Sequence, residues 1–204
     1  MCINTIIENS RFSIESGQIS LFDSLKYILG GEAIFTIFPI KQGIKYVFKC
    51  NQLVTKEGNK EIKHNRWFLN LLTGPDNTKD FTYVGTIDYV DSKIPNVLTL
   101  RITAKSGMTA DAPSYKLFDN LLYNLQCVPE HIATLTDRIK VYHDGTCSMC
   151  GRPLTDIVSV AVGLGPVCAP SEHKAYKAGC KRRGIILPKS TSKKKKAEAM
   201  LWKS

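Results

Sequence analysis

The sequence predicts an α+β protein: an antiparallel sheet with packed helices, then a small cysteine-bearing finger, then a basic tail. Three observations carry this. Apolar β-type runs separated by turn residues fill the first half of the chain. Cys147, Cys150 and Cys168 cluster with glycines and prolines between them. Lysines then crowd toward residue 204. The expected organisation is a sheet domain over 1–140, a finger with a basic helix over 141–187, and a flexible basic tail over 188–204.

Taken in order, "SLFDSLKYILGG" (20–31) spaces Leu21, Leu25 and Ile28 as on a helix and ends on a glycine pair that stops it. "AIFTIFPIKQGIKYVFKC" (33–50) is two β-type runs around Gln42-Gly43, which predicts a hairpin. "RWFLNLLTGPDNTKDFTYVGTIDYV" (66–90) is a strand, a Gly74-Pro75-Asp76-Asn77 turn and a returning strand. "NVLTLRITAKS" (96–106) predicts one more strand. In "APSYKLFDNLLYNLQ" (112–126), Phe118, Leu121, Leu122 and Leu125 share a helical face, and Pro113 suits the first turn. The residues from Pro129 to Gly145 are expected to be a connector, with Glu130 at a helix start beside a surface His131.

Composition bounds the function. Hydrophobic residues make up 43% and charged residues 23%, ordinary for a soluble globular protein, and 204 residues suffice for a core without staples. Met1 to Ile7 lacks a basic start followed by a long apolar run, so no export leader is expected. No apolar run is long enough to span a bilayer, so no membrane role is expected. Seven cysteines, an odd number, point to reduced thiols in a cytoplasm. Of the net charge of +10, +9 lies from Ser171 onward. A basic segment on a neutral body suits a polyanion such as nucleic acid; the plainer reading is a solvated tail that aids solubility.

The three cysteines have metal-ligand spacing. Cys-x2-Cys lets one tight turn aim two sulfurs at an ion, and Gly151 supplies the positive φ such a turn needs. Gly163-Leu164-Gly165-Pro166 turns the chain so that Cys168 returns to the same point. Zinc takes four thiolate or imidazole ligands in a tetrahedron, and a zinc knuckle or treble-clef-like finger is therefore expected. For the fourth ligand His143, on the strand leading into the knuckle, ranks first, His173 second and Cys180 third. Three ordinary free cysteines would leave the glycine and proline placements unexplained.

The stretches "HDGTCSMCGRPLT" and "SVAVGLGPVCA" resemble a small zinc-finger-like family of unknown function, common in bacteriophage and prophage proteins. The resemblance covers about His143 to Ala169. A weaker one extends over "WFLNLLTGPDNTKDFTYVGTI" to the sheet region that often precedes this finger in phage proteins. The resemblance implies Cys147, Cys150 and Cys168 as ligands and favours His143. It implies no activity. If the chain is phage-encoded, the compartment is the cytoplasm of a bacterial host.

No enzyme is expected. A catalytic zinc keeps an open position and a nearby base. The chain has no His-x-Glu with Pro-Cys-x-x-Cys, no His-Glu-x-x-His and no phosphate loop. The expected function is non-enzymatic, non-specific binding of DNA or RNA by a Zn2+ protein. Its contacts would be Lys174, Lys177 and Lys181, one stripe on a helix starting near Ser171 and ending at Gly184, with Arg182 and Arg183, then Lys193, Lys194, Lys195 and Lys196. Tyr176 within the stripe suits packing or base stacking. Of Trp67, Phe68, Phe81 and Tyr83 in the strands, alternation puts some on an open face, where they suit base stacking, and most in the core. The alternative is a protein-interaction module whose basic segment docks an acidic partner surface.

Overall fold

The structure, a computed structural model, describes residues 17–89, 97–126 and 129–187. The elements in chain order are β1 (Gln18–Ile19), α1 (Leu21–Ile28), β2 (Glu32–Pro39), β3 (Tyr46–Glu57), β4 (Lys60–Leu72), β5 (Phe81–Tyr89), β6 (Leu98–Arg101), α2 (Pro113–Leu125), α3 (Pro129–Leu135), β7 (Ile139–His143), α4 (Ile157–Val162) and α5 (Pro170–Arg182). The expected tail and the cysteines Cys2 and Cys127 lie outside the described residues.

The seven strands form one sheet in the order β1-β7-β2-β3-β4-β5-β6, every pair antiparallel. Alternation selects the core face. Ala33, Phe35 and Ile37 of β2 are buried, as are Trp67, Leu69 and Leu71 of β4 and Ile139 and Val141 of β7. Residues from α1, α2 and α3 join them in one apolar cluster. Phe118 of α2 packs its ring 5.2 Å from Phe48 and 6.1 Å from Phe35, centroid to centroid. Helix α1 starts where the Ser20 hydroxyl accepts the Phe22 N–H, and its face of Leu21, Ser24, Tyr27 and Ile28 is buried. Trp67, indole inward, donates to the Leu29 carbonyl at the end of α1 (3.1 Å).

Two features differ from the sequence reading. The helix start at Glu130 and the strand leading into the knuckle are present as α3 and β7, but β7 belongs to the sheet of the body, inserted between β1 and β2. The boundary expected at 140/141 therefore falls inside a sheet strand. The strands read as ending at Cys50 and starting at Arg66 run on to Glu57 and from Lys60, and they form a long hairpin that turns at Gly58-Asn59. A Gly-Asn pair is a hairpin turn signal.

The β6 edge is sealed by side chains of α2 and its cap. Gln126 accepts the Leu98 N–H (2.6 Å) and donates to the Leu98 carbonyl (2.9 Å), while the Tyr115 hydroxyl donates to the Leu100 carbonyl (2.9 Å). An unpaired edge is a template for another chain. Gln126→Ala should cost about 1–2 kcal/mol in a denaturant titration, and light scattering should show concentration-dependent association.

Candidate metal centre

β7 delivers the chain to the site. After His143 the backbone forms a knuckle: Cys147 N–H donates to Arg152 O (2.9 Å), Gly151 N–H to Cys147 O (2.8 Å) and Leu154 N–H to Gly145 O (2.8 Å). Gly151 has φ 67°, as the tight turn after Cys150 requires. Asp156 then caps α4, accepting the N–H groups of Val158 and Ser159 at 3.1 Å each. Helix α4 ends on Gly163 at φ 72°, against the ring of Tyr27, where a β-carbon would lie 2.8 Å from that ring. This glycine serves the turn and the docking of the finger on α1 together. Cys168 follows, its N–H bonded to Gly165 O at 3.1 Å.

The Sγ atoms of Cys147, Cys150 and Cys168 lie within 4.8 Å of one another, from a buried, an exposed and a half-buried residue respectively. The Gly165 N–H donates to Cys147 Sγ (3.3 Å). Burial pushes the Cys147 thiol up, but the backbone N–H groups of Gly165, Met149 and Cys150 outweigh it and hold the thiol below its ordinary value. The Cys168 thiol is pushed up to about 11, first by its hydrogen bond with Cys150, then by burial and by Cys147. Three sulfurs converging on one point, with N–H groups favouring the thiolate, form a donor set that suits a soft or borderline metal ion. Among the described residues the group has three members.

The structure does not bring His143 to the thiols. Its Nδ1 accepts the Gly145 N–H (2.9 Å) and its Nε2 bonds the Val160 carbonyl (2.7 Å), so both ring nitrogens are engaged. The Nε2–H tautomer follows from those partners. Burial holds the imidazole below its ordinary pKa, against the Val160 hydrogen bond and Asp144. Strand parity explains the placement: His143 is in phase with Ile139 and Val141, which face the core. The expectation of His143 as fourth ligand is therefore corrected to a buried tie between β7 and α4. His173, the second choice, bonds Leu164 O through Nε2 (2.7 Å), and Cys180, the third, is buried with Val158 and Tyr176.

Helix α5 starts at Pro170 and gives way at Arg183 to Gly184, as expected. Its inner face carries His173, Tyr176 and Cys180. Tyr176 thus packs into the finger. Lys174, Lys177 and Lys181, each one position past a buried residue, are exposed in a stripe flanking that inner face, and Arg182 and Arg183 are exposed at the end. Lys193 to Lys196 lie outside the described residues.

The finger has two small apolar clusters of its own, one around Cys147, Leu164 and Ala169 and one around Val158, Tyr176 and Cys180. Main-chain contacts tie it to the body. Glu32 N–H donates to Ser148 O (2.6 Å), and the Tyr27 hydroxyl donates to Ile34 O (3.2 Å) and Thr146 O (3.3 Å). Lys26 of α1 pairs with Glu172 of α5. No helix among the described residues is long and apolar enough to cross a membrane.

No curated protein and no solved structure gives a significant match to the chain. Residues 140–173, from β7 into the first turn of α5 and including all three clustered cysteines, match the family described as Family of unknown function (DUF6011).

Proposed function

We propose that the protein is a non-enzymatic zinc protein of the phage type, acting in the cytoplasm, whose finger holds a basic helix against nucleic acid. Cys147, Cys150 and Cys168 would hold the ion, which supplies folding energy to a finger with little apolar core. The observation that carries the reading is the row of Lys174, Lys177 and Lys181, exposed in a stripe flanking the buried face of the helix that begins two residues after Cys168. Point charges on a fixed helix suit phosphates and carry little base information.

On duplex DNA the log–log salt slope should be about −0.9 for each phosphate neutralised. Replacing Lys174, Lys177 and Lys181 together by Gln should flatten the slope and weaken binding evenly across sequences, with metal content unchanged. Deleting Lys189 to Ser204 should act in the same way. A parent protein that binds no nucleic acid at low salt overturns the reading.

A second reading has its own support. Val167 beside Cys168 is 88% exposed and Ile186 after α5 is 93% exposed, and apolar side chains so placed suit a protein partner. In that reading α5 meets an acidic protein surface, and binding to random nucleic acid is weak at every salt concentration.

A further inference from the structure

The sheet has a second face. Register places Phe68 of β4 opposite Asn51 and Thr86, and Tyr83 of β5 opposite Asn70, which itself pairs with Lys49. Phe68 and Tyr83 lie 6.4 Å apart, centroid to centroid, with their planes inclined at 55°. Both are half-buried, and neither belongs to the apolar cluster on the helix-covered face. Their neighbours Asn51, Asn70 and Thr86 are polar.

One pairing step from Phe68, Arg66 and Arg101 converge on Asp88. Arg66 donates through Nε to Oδ2 (3.0 Å), and Arg101 donates through Nη2 to Oδ1. The Asp88 side chain is 6% exposed, whereas those of Arg66 and Arg101 are 50% and 51% exposed. One sunken carboxylate therefore orients two guanidinium groups that reach solvent, and the cluster keeps one net positive charge. Lys49 adds a cation on the other side of the ring pair.

We infer that this face is a platform for a single-stranded polynucleotide, with unpaired bases stacking on Phe68 and Tyr83 and the backbone tracked by Arg66, Arg101 and Lys49. The inference rests on the nucleic-acid reading above and specifies its substrate. Guanidinium forks match phosphate oxygens, and aromatic faces take any base. The bases of a duplex are already stacked on each other and do not reach the rings. An acidic peptide satisfies the cations but leaves the rings without partners. The single strand is the polyanion that uses both.

The test uses the full chain in its metal-loaded form and measures anisotropy of fluorescein-labelled DNA and RNA single strands of about 12 nucleotides, beside a duplex of the same sequence. The parent is expected to prefer the single strands. Phe68→Leu with Tyr83→Leu keeps apolar bulk and removes the π-faces; single-strand affinity should fall roughly tenfold or more while duplex affinity stays. Phe68→Trp should retain single-strand binding. Lys49→Gln, a surface change, should reduce the single-strand salt slope by about 0.7, so the inference is tested even where the double variant melts early. Equal binding of single strand and duplex by the parent overturns the inference and leaves the basic-helix reading standing, as does a folded double variant that binds single strands like the parent. Displacement of single strands by poly-glutamate at equal charge concentration overturns it in favour of an acidic protein. Binding of neither nucleic acid overturns this inference and the broader reading together.

Discussion

Cys147→Ser should abolish stoichiometric metal retention and lower the melting temperature of the whole chain, not of the finger alone. Cys147 is the buried member of the sulfur cluster, and its sulfur accepts the Gly165 N–H, so it anchors both arms of the knuckle. Structural zinc contributes on the order of 10 kcal/mol of apparent binding energy in isolated fingers. Here the loss reaches further. Ser148 O receives the Glu32 N–H at the start of β2, Thr146 O receives the Tyr27 hydroxyl, and His143 ties β7 to Val160 of α4. A slack knuckle removes partners from three body elements at once. Elemental analysis and thermal melts followed at a sheet wavelength, with and without chelator, measure this. An identical melt for parent and variant would falsify the coupling, and metal retained at one ion per chain would remove Cys147 from the ligand set.

The second large effect is expected in the body. Phe118→Ala should cost about 3–5 kcal/mol, a large share of the roughly 5–15 kcal/mol that holds a domain folded. The Phe118 ring is fully buried where α2 meets β2 and β3, in contact with the rings of Phe35 and Phe48. These partners sit on paired strands, opposite each other in register, and have little freedom to collapse into the void. Urea titration should show a lower midpoint with an unchanged slope. A shift under 1 kcal/mol would mean that the site relaxes and that α2 is not the principal cover of the sheet.

What the sequence disclosed follows from how local each signal is. Helix α2 was legible because Phe118, Leu121, Leu122 and Leu125 lie within two turns, and all four are buried. The β4–β5 connection was legible in the same way, although its turn closes on Asp76 from Lys79 and Asp80 and not over Gly74–Asn77, and so was the three-cysteine cluster. The pairing of β7 was not. The strand is five residues long, and its partners on β2 lie about a hundred positions earlier. No local propensity records such a pairing. The ranking of His143 came with it: a His four residues before Cys147 looks like a ligand until β7 is placed in the sheet. Its parity with Ile139 and Val141 was present in the sequence and would have sent the ring inward. The open sheet face was half legible. Alternation puts some of Trp67, Phe68, Phe81 and Tyr83 outward without saying which, because the β4/β5 register shift decides the face of Tyr83. The Arg66–Asp88–Arg101 cluster joins three strands and needed the fold.

The position of β7 governs how the chain is completed during synthesis. β2 emerges about a hundred residues before the strand that covers its free edge. At translation rates of roughly 5–20 residues per second, that edge stays unpaired for roughly 5–20 s. Through that interval the nascent sheet can extend only toward β6, and its β2 side is open to strands of other chains. The strand that ends the exposure is followed within four residues by the first sulfur of the knuckle. Sheet closure and completion of the sulfur cluster therefore belong to the same late stage of synthesis, and a chain cut short before β7 would lack both.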